Sequence, residues 1–574
     1  MSPQLRLSSV LCLSLTAILT AGLAVVLTAR APRVQAFDAI ITGGRIVDGT
    51  GASWYLGDVG VRGDRIAAIG DLTQASTAKR IDASGLVVAP GFIDLLGQSE
   101  FNVLVDNRAA SKILQGVTTE VTGEGTSIAP INDRLFEDQA DGFKHFNVAW
   151  DWRTLGEYFK RLNERTHPAI NIATFVGAGG LRAYVVGKDN RPATPAELDQ
   201  MQKLVAQAME DGALGVSSSL QYMPDRYAST DELVALASVA ARYGGVYFTH
   251  LRSESAGIFD AIDETCAIAE RAKIPAEIWH LKTAYKANWG KMPQVLARIE
   301  AARARGLDIT ANQYPYTRAS NGLDSCLPMW AREGGLEKTL SRLKNPADRE
   351  RIKKEMDDEN AVGWENQWYG SGGGDGVMVS SVLDPSLRKY EGMTLTQIAR
   401  QMGTDPRDAV IDLVIADRGN TAVVTSIMRE DDVVAALRHP LVSVDTDSGA
   451  KAEDGPMAES RSHPRAFGTF ARILGKYVRD EKVLRLEEAV RKMTSQPATR
   501  VHLNDRGILR PGMAADITIF DPAAIRDVST FEDPMHYSVG VRHVLVNGRA
   551  VVTDGKITTE RPGRALKGPG ARAF

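Results

Sequence analysis

The sequence predicts an α/β chain: a parallel (β/α)8 barrel with a small β-sandwich domain formed by both chain ends. Three observations predict it. The middle of the chain alternates apolar strand-like runs with amphipathic helices, the mark of parallel βα units. Eight such runs are found, ending near Leu95, Glu124, Gly177, Ser217, His250, His280, Gln313 and Asp447. Both ends of the 574-residue chain read instead as short strands separated by turn residues.

From the N-terminus, Arg6 is followed by an uncharged apolar run, Leu7 to Ala29, and Val34-Gln-Ala36 offers small residues for a signal peptidase. This predicts a secretory signal cleaved after Ala36. The run is also long enough to span a bilayer, so an uncleaved anchor is the alternative. Cys12 lies inside the run and lacks the small-residue context of a lipid-modified cysteine. Either way the body is exported, periplasmic or secreted, and it meets a membrane only if the segment is retained.

The stretch Asp38–Asp48 reads as a hairpin, Val59–Ile69 as another, and Leu86–Pro90 as a strand. Within the body, Thr194-Pro-Ala-Glu197 is a capping box with proline at the first helical position, and Gly212 ends the helix it starts. Ala213–Ser217 is the next strand. Ser229 caps a second helix that stops at Gly244-Gly245, and Val246–His250 is again a strand. The interval from Gln313 to Asp447 is too long for one βα unit, so residues 321–420 or so read as an insertion. Its Gly372-Gly-Gly374 run lacks the flanking strand and helix of a phosphate cradle. Near the C-terminus, Asp516–Asp521 and Val541–Gly548 are strand-like, with Asn547-Gly548 a hairpin turn. The expected division is 1–36 signal or anchor, 37–88 first sheet part, 89–490 barrel, 491–560 second sheet part, and 561–574 tail.

Composition narrows the function. The 68 basic and 71 acidic residues leave a net charge of −3, which gives no footprint for nucleic acid. A small-molecule substrate fits better; oligomeric state is not legible. Beyond Cys12, only Cys266 and Cys326 remain, which read as buried free thiols.

Barrel chemistry sits at the C-terminal ends of the strands. Two of the nine histidines, His250 and His280, each close a strand-like run 30 residues apart. On adjacent strands, two neutral imidazoles suit zinc; two separately buried histidines are the plainer reading. Asp447 favours the metal, because it ends a strand with a carboxylate able to take a proton from water and return it to a leaving amine. Asp445, two residues deeper, is expected to be structural. Glu124, between Gly123 and Gly125, is the candidate third ligand, a solvated loop glutamate being the alternative. Lys282, Tyr222, Tyr314, Tyr316, Ser320 and Arg465 fall near strand ends and are candidates for binding a carboxylate-bearing substrate.

These residues lie within a longer series of motifs: Ala89-Pro-Gly-Phe-Ile-Asp94, Gly116-Val-Thr-Thr-Glu-Val-Thr-Gly123, Gly215–Tyr222, Thr249-His250, His280-Leu-Lys282, Tyr314-Pro-Tyr-Thr317, Thr446-Asp447, His463-Pro-Arg465, Thr494-Ser-Gln-Pro-Ala498, Arg506-Gly507 and Gly512–Asp516. In that order they resemble the amidohydrolase superfamily, and within it the D-aminoacylase (N-acyl-D-amino-acid deacylase) family. The resemblance implies zinc on His250 and His280, Asp447 as acid and base, and Tyr222, Lys282, Tyr314, Arg465 and, more weakly, Ser320 at the substrate. The chain departs from the family at two places. Leu96 and Gln98 stand where a His-x-His pair is usual, so the more exposed metal position looks disabled. Gly125 stands at a bridging cysteine, with Glu124 beside it, and a local bulge is needed to turn Glu124 inward. The expected centre is one zinc per chain on Glu124, His250 and His280, hydrolysing an N-acyl-(D-)amino acid. A dipeptidase or cyclic-amide hydrolase, or a non-catalytic binding protein, are the other readings.

Overall fold

The computed structural model describes residues 36–361 and 364–572. The predicted signal or anchor lies outside the described residues. Among those described, no helix is long and apolar enough to cross a membrane.

The parallel strands are β1 (Phe92–Asp94), β2 (Val117–Thr122), β3 (Asn171–Thr174, continued by Val176–Gly177), β4 (Gly215–Ser219), β5 (Val246–His250), β6 (Ala276–Ile278), β7 (Ile309–Gln313) and β8 (Val442–Val444). Each pairs in parallel with the next. A parallel bridge between Gly97 and Ser448 then joins the first strand's end to the last, closing the ring. Strand β4 starts two residues later than the sequence suggests. The two helices read from their caps form as expected: Thr194 makes a reciprocal capping box with Glu197, and Ser229 accepts from the Glu232 N–H. Cys266 and Cys326 are buried free thiols.

Side-chain alternation divides the core. Ile93, Val121, Phe175, Val246, Phe248 and Trp279 form one cluster, and Phe175, Phe248 and Trp279 meet ring to ring. Tyr247, Ile278 and Val444, of opposite parity, belong instead to the large core shared with the helices. Successive strand residues face opposite sides, so the first group fills the barrel interior and the second lies under the helical layer.

Ring closure is reinforced by charge. Asp94 accepts from the Thr446 N–H (2.9 Å) and hydroxyl (2.6 Å), and the buried Lys112 ammonium meets Asp94 at 2.7 Å and the Ser448 carbonyl at 2.6 Å. This network ties β1 to the segment that carries Asp447.

Strands from residues 37–90 and 517–557 enter one nine-stranded sheet, in which Val87–Pro90 pairs antiparallel with Ile517–Phe520. Ile41, Val59, Val88, Ile519 and Leu545 share its core. Phe37–Ile46 is a single strand, not the hairpin that its glycines suggest. Gly43 and Gly44 lie in an irregularity of the pairing, and a Cβ on Gly44 would come within 2.4 Å of Val88. Residues 486–493 and 495–500 are helical, and the sheet resumes at Ile517.

The insertion runs from β7 to β8. It holds a three-stranded antiparallel sheet of Arg318–Gly322, Ala422–Ser426 and Val377–Ser381, with helices around a separate core that includes Leu327, Trp368 and Val423. Its first strand carries Ser320 to the mouth of the barrel.

Candidate active site and metal centre

A cavity of about 490 Å³ opens at the C-terminal ends of the barrel strands. Nine of the ten nominated residues line it: Glu124, His250, His280, Asp447, Tyr222, Lys282, Tyr314, Ser320 and Arg465. Tyr316 does not. It is buried, with Arg472 over its ring and His463 and Phe531 at its edges.

His250 reaches the cavity by plain strand alternation, since it shares the parity of Val246 and Phe248. Glu124 and His280 have the opposite parity, and each turns inward through a left-handed backbone. Gly123 (φ 93°) and Gly125 (φ 60°) flank Glu124, and a Cβ on Gly125 would come within 2.3 Å of Ser219. The Gly125 N–H donates to Ser217 Oγ at 3.2 Å, which pins the turn. His280 itself has φ 35° and lies two residues past the end of β6, its N–H held by Asn312 Oδ1 at 2.7 Å. Asp447 has φ 44°, three residues past β8. Such conformations cost about 1–3 kcal/mol each for a non-glycine residue and collect at functional sites.

Glu124 Oε1 stands 3.0 Å from His250 Nδ1 and 3.3 Å from His280 Nε2. A tetrahedral ion with ~2.0–2.1 Å bonds separates its donors by about 3.3 Å, so this spacing fits zinc. Among the described residues this is the one group of three such side chains that converges to hold a metal. The far nitrogens are also engaged. His250 Nε2 lies 2.7 Å from Gln221 Oε1, and His280 Nδ1 lies 2.7 Å from Lys282 Nζ and 3.0 Å from Glu254 Oε1. Protonation of His250 Nε2 towards Gln221 leaves its Nδ1 lone pair facing the centre, the tautomer that ligation needs.

Carboxylates dominate the electrostatics around the two imidazoles. Burial and Lys282 push the His280 pKa down, but Glu254, Asp447 and Glu124 outweigh them and raise it to about 10. Burial favours the neutral Glu124 carboxyl, yet hydrogen bonds from His250 and His280 hold it well below the usual carboxylate range. Burial raises Asp447, against the pull of Arg465 and His280. Asp445 is raised well above its ordinary value by burial and by Asp447; both its oxygens are buried and it does not line the cavity. Tyr222 and Tyr314 are pushed up by burial and stay neutral phenols.

The two cationic candidates are each paired. Lys282 Nζ is 2.6 Å from Glu254 Oε1, and Arg465 Nη1 is 2.7 Å from Asp447 Oδ2. Arg465 also lies over the Tyr314 ring at 4.6 Å. Glu254 and Gln221 escape a reading restricted to strand ends. The signal for Glu254 is indirect: a buried lysine at 282 demands a carboxylate, and Glu254 is four residues past His250.

A parallel barrel with two imidazoles, a carboxylate and a separate aspartate at its strand ends defines a metal-dependent hydrolase scaffold. The chain belongs to the amidohydrolase family, whose model matches residues 79–324 and 447–552. The unmatched interval contains most of the insertion. The chain is 34% identical to a D-aminoacylase of Alcaligenes xylosoxydans xylosoxydans, over 93% of this chain and 98% of that one. A solved D-aminoacylase described as having a binuclear metal centre, with activation by one metal and attenuation by the second, is 34% identical and superposes with a TM-score of 0.76, covering 92% of this chain and all of that one. The N-acyl-D-glutamate deacylase of Bordetella bronchiseptica, solved with zinc and a phosphonate mimic of the tetrahedral intermediate, is 31% identical with a TM-score of 0.77, covering 93% and 100%.

Proposed function

We propose that the protein is an exported zinc-dependent hydrolase that deacylates an N-acyl-D-amino acid to a carboxylic acid and a free amino acid. The observation that carries this reading is the convergence of Glu124, His250 and His280 beside Asp447. It is supported by similarity along almost the whole chain to D-aminoacylase and N-acyl-D-glutamate deacylase. Glu124, His250 and His280 would hold one zinc per chain, which would supply Lewis-acid polarisation of the amide carbonyl and a water of lowered pKa.

Asp447 takes the proton of the attacking water and returns it to the amide nitrogen as the C–N bond breaks. Its burial keeps it basic enough to accept that proton, and Arg465 keeps it ionised beforehand. Gln221 holds the His250 tautomer, and Glu254 holds Lys282 beside His280. Arg465 and Lys282 use only part of their donor capacity on Asp447 and Glu254, and their remaining N–H groups take the substrate α-carboxylate. Tyr222 donates to Asn321 Oδ1 at 2.9 Å, which joins the barrel wall to the insertion strand carrying Ser320. Tyr314 stays protonated beneath Arg465 and offers its hydroxyl to the same carboxylate.

The test is release of free amino acid from matched N-acetyl-D- and N-acetyl-L-amino acids by the zinc-loaded protein. Turnover of D substrates is expected. Hydrolysis confined to dipeptides or cyclic amides would replace this reading.

A further inference from the structure

Gln98 stands where two carboxylates of the centre approach each other. Its amide nitrogen donates to Glu124 Oε2 at 3.2 Å and to Asp447 Oδ1 at 3.1 Å. These are the oxygens left over by the other contacts: Glu124 Oε1 faces the two imidazoles, and Asp447 Oδ2 meets Arg465. A carboxamide nitrogen carries two hydrogens, and both are spent here.

The backbone around Gln98 is fixed. Gly97 N–H bonds to the Val121 carbonyl at 2.8 Å, and a Cβ on Gly97 would come within 1.9 Å of the Glu120 carboxylate. That carboxylate in turn accepts from the Ser99 N–H at 2.9 Å and hydroxyl at 2.8 Å. The Gln98 side chain is exposed and lines the cavity, so hydrogen bonds to the two acids, more than packing, set its place.

Two adjacent carboxylates repel unless a cation or hydrogen-bond donors stand between them. We propose that the Gln98 carboxamide is a positioning residue that occupies the place a second cation would take between Glu124 and Asp447. It fixes Glu124 towards the metal and Asp447 towards the reacting water, so that the centre works with one zinc. The kinetic part of this rests on the deacylase reading; the metal-binding part does not.

The test compares the wild type with Gln98→Ala and Gln98→Glu by competition for zinc against a chromogenic chelator, by metal count, and by kcat and KM. An outer partner of a metal ligand typically accounts for about 10–100-fold in affinity, so Gln98→Ala should bind zinc more weakly by that factor. Its kcat should fall by more than its KM changes, because Asp447 acts in the transition state. Gln98→Glu replaces both donors by acceptors and should take up a second zinc equivalent. Wild-type zinc affinity in Gln98→Ala, or a single equivalent in Gln98→Glu, overturns the proposal. A wild type that turns over no N-acyl amino acid would end the deacylase reading instead, and the zinc measurements would still decide the role of Gln98.

Discussion

Arg465 Nη1 lies 2.7 Å from Asp447 Oδ2, so the arginine assigned to the substrate carboxylate is also the counter-ion of the proposed base. Burial raises the Asp447 pKa and Arg465 opposes the rise. Removing the arginine therefore raises it further, and a base with a higher pKa is protonated, hence inactive, up to a higher pH. Arg465→Met should shift the acid limb of the kcat profile to higher pH and raise KM. An unmoved acid limb would separate Asp447 from that limb.

Asp447→Asn keeps the shape of the side chain but cannot take a proton. It should leave the fold and the bound zinc intact, because the three proposed ligands remain. The rate should fall by ~100-fold or more, the usual scale for a lost general base. Loss of zinc on elemental analysis would make Asp447 chiefly a ligand, and near-full activity would remove its assigned role.

Lys112 is fully buried between Asp94 and Glu120, at 2.7 Å and 3.5 Å. Removing one partner of such a group leaves uncompensated charge and typically costs about 3–5 kcal/mol. Lys112→Ala should lower stability by that order in denaturant unfolding. Because Asp94 also holds Thr446, activity should fall along with it. Wild-type stability would mean that the network does not fasten the ring.

The apolar run Leu7–Ala29 followed by Val34-Gln-Ala36 predicts a mature chain that starts at Phe37. Intact mass and N-terminal sequencing of protein from the native compartment check this. Recovery of the full chain from a membrane fraction would favour the anchor.

Much of this architecture is legible in the sequence because strand alternation and helix caps are local. His250 could be placed from Val246 and Phe248 by parity alone, and the Thr194–Glu197 box fixes its helix within four residues. Legibility ends where the backbone leaves the strand. Lys282 and His280 meet at 2.7 Å beyond the strand end, where His280 takes a left-handed backbone at φ 35°. The Glu124 bulge is hinted at by its two glycines, whereas its direction depends on Ser217 and Ser219 from a strand about 90 residues away. Tyr316 shows the converse: it packs with Tyr314 against His463, yet it stays outside the cavity, under Arg472 and beside Phe531.

The most direct test of a one-metal centre on Glu124, His250 and His280 is reconstitution. Metal-free protein is titrated with zinc while N-acetyl-D-amino acid hydrolysis is followed, with Glu124→Ala in parallel. Activity should rise in proportion to zinc and level off at one equivalent per chain, and the variant should need far more zinc to reach a much lower rate. Full activity without metal, a requirement for two equivalents, or a wild-type curve from Glu124→Ala would contradict it.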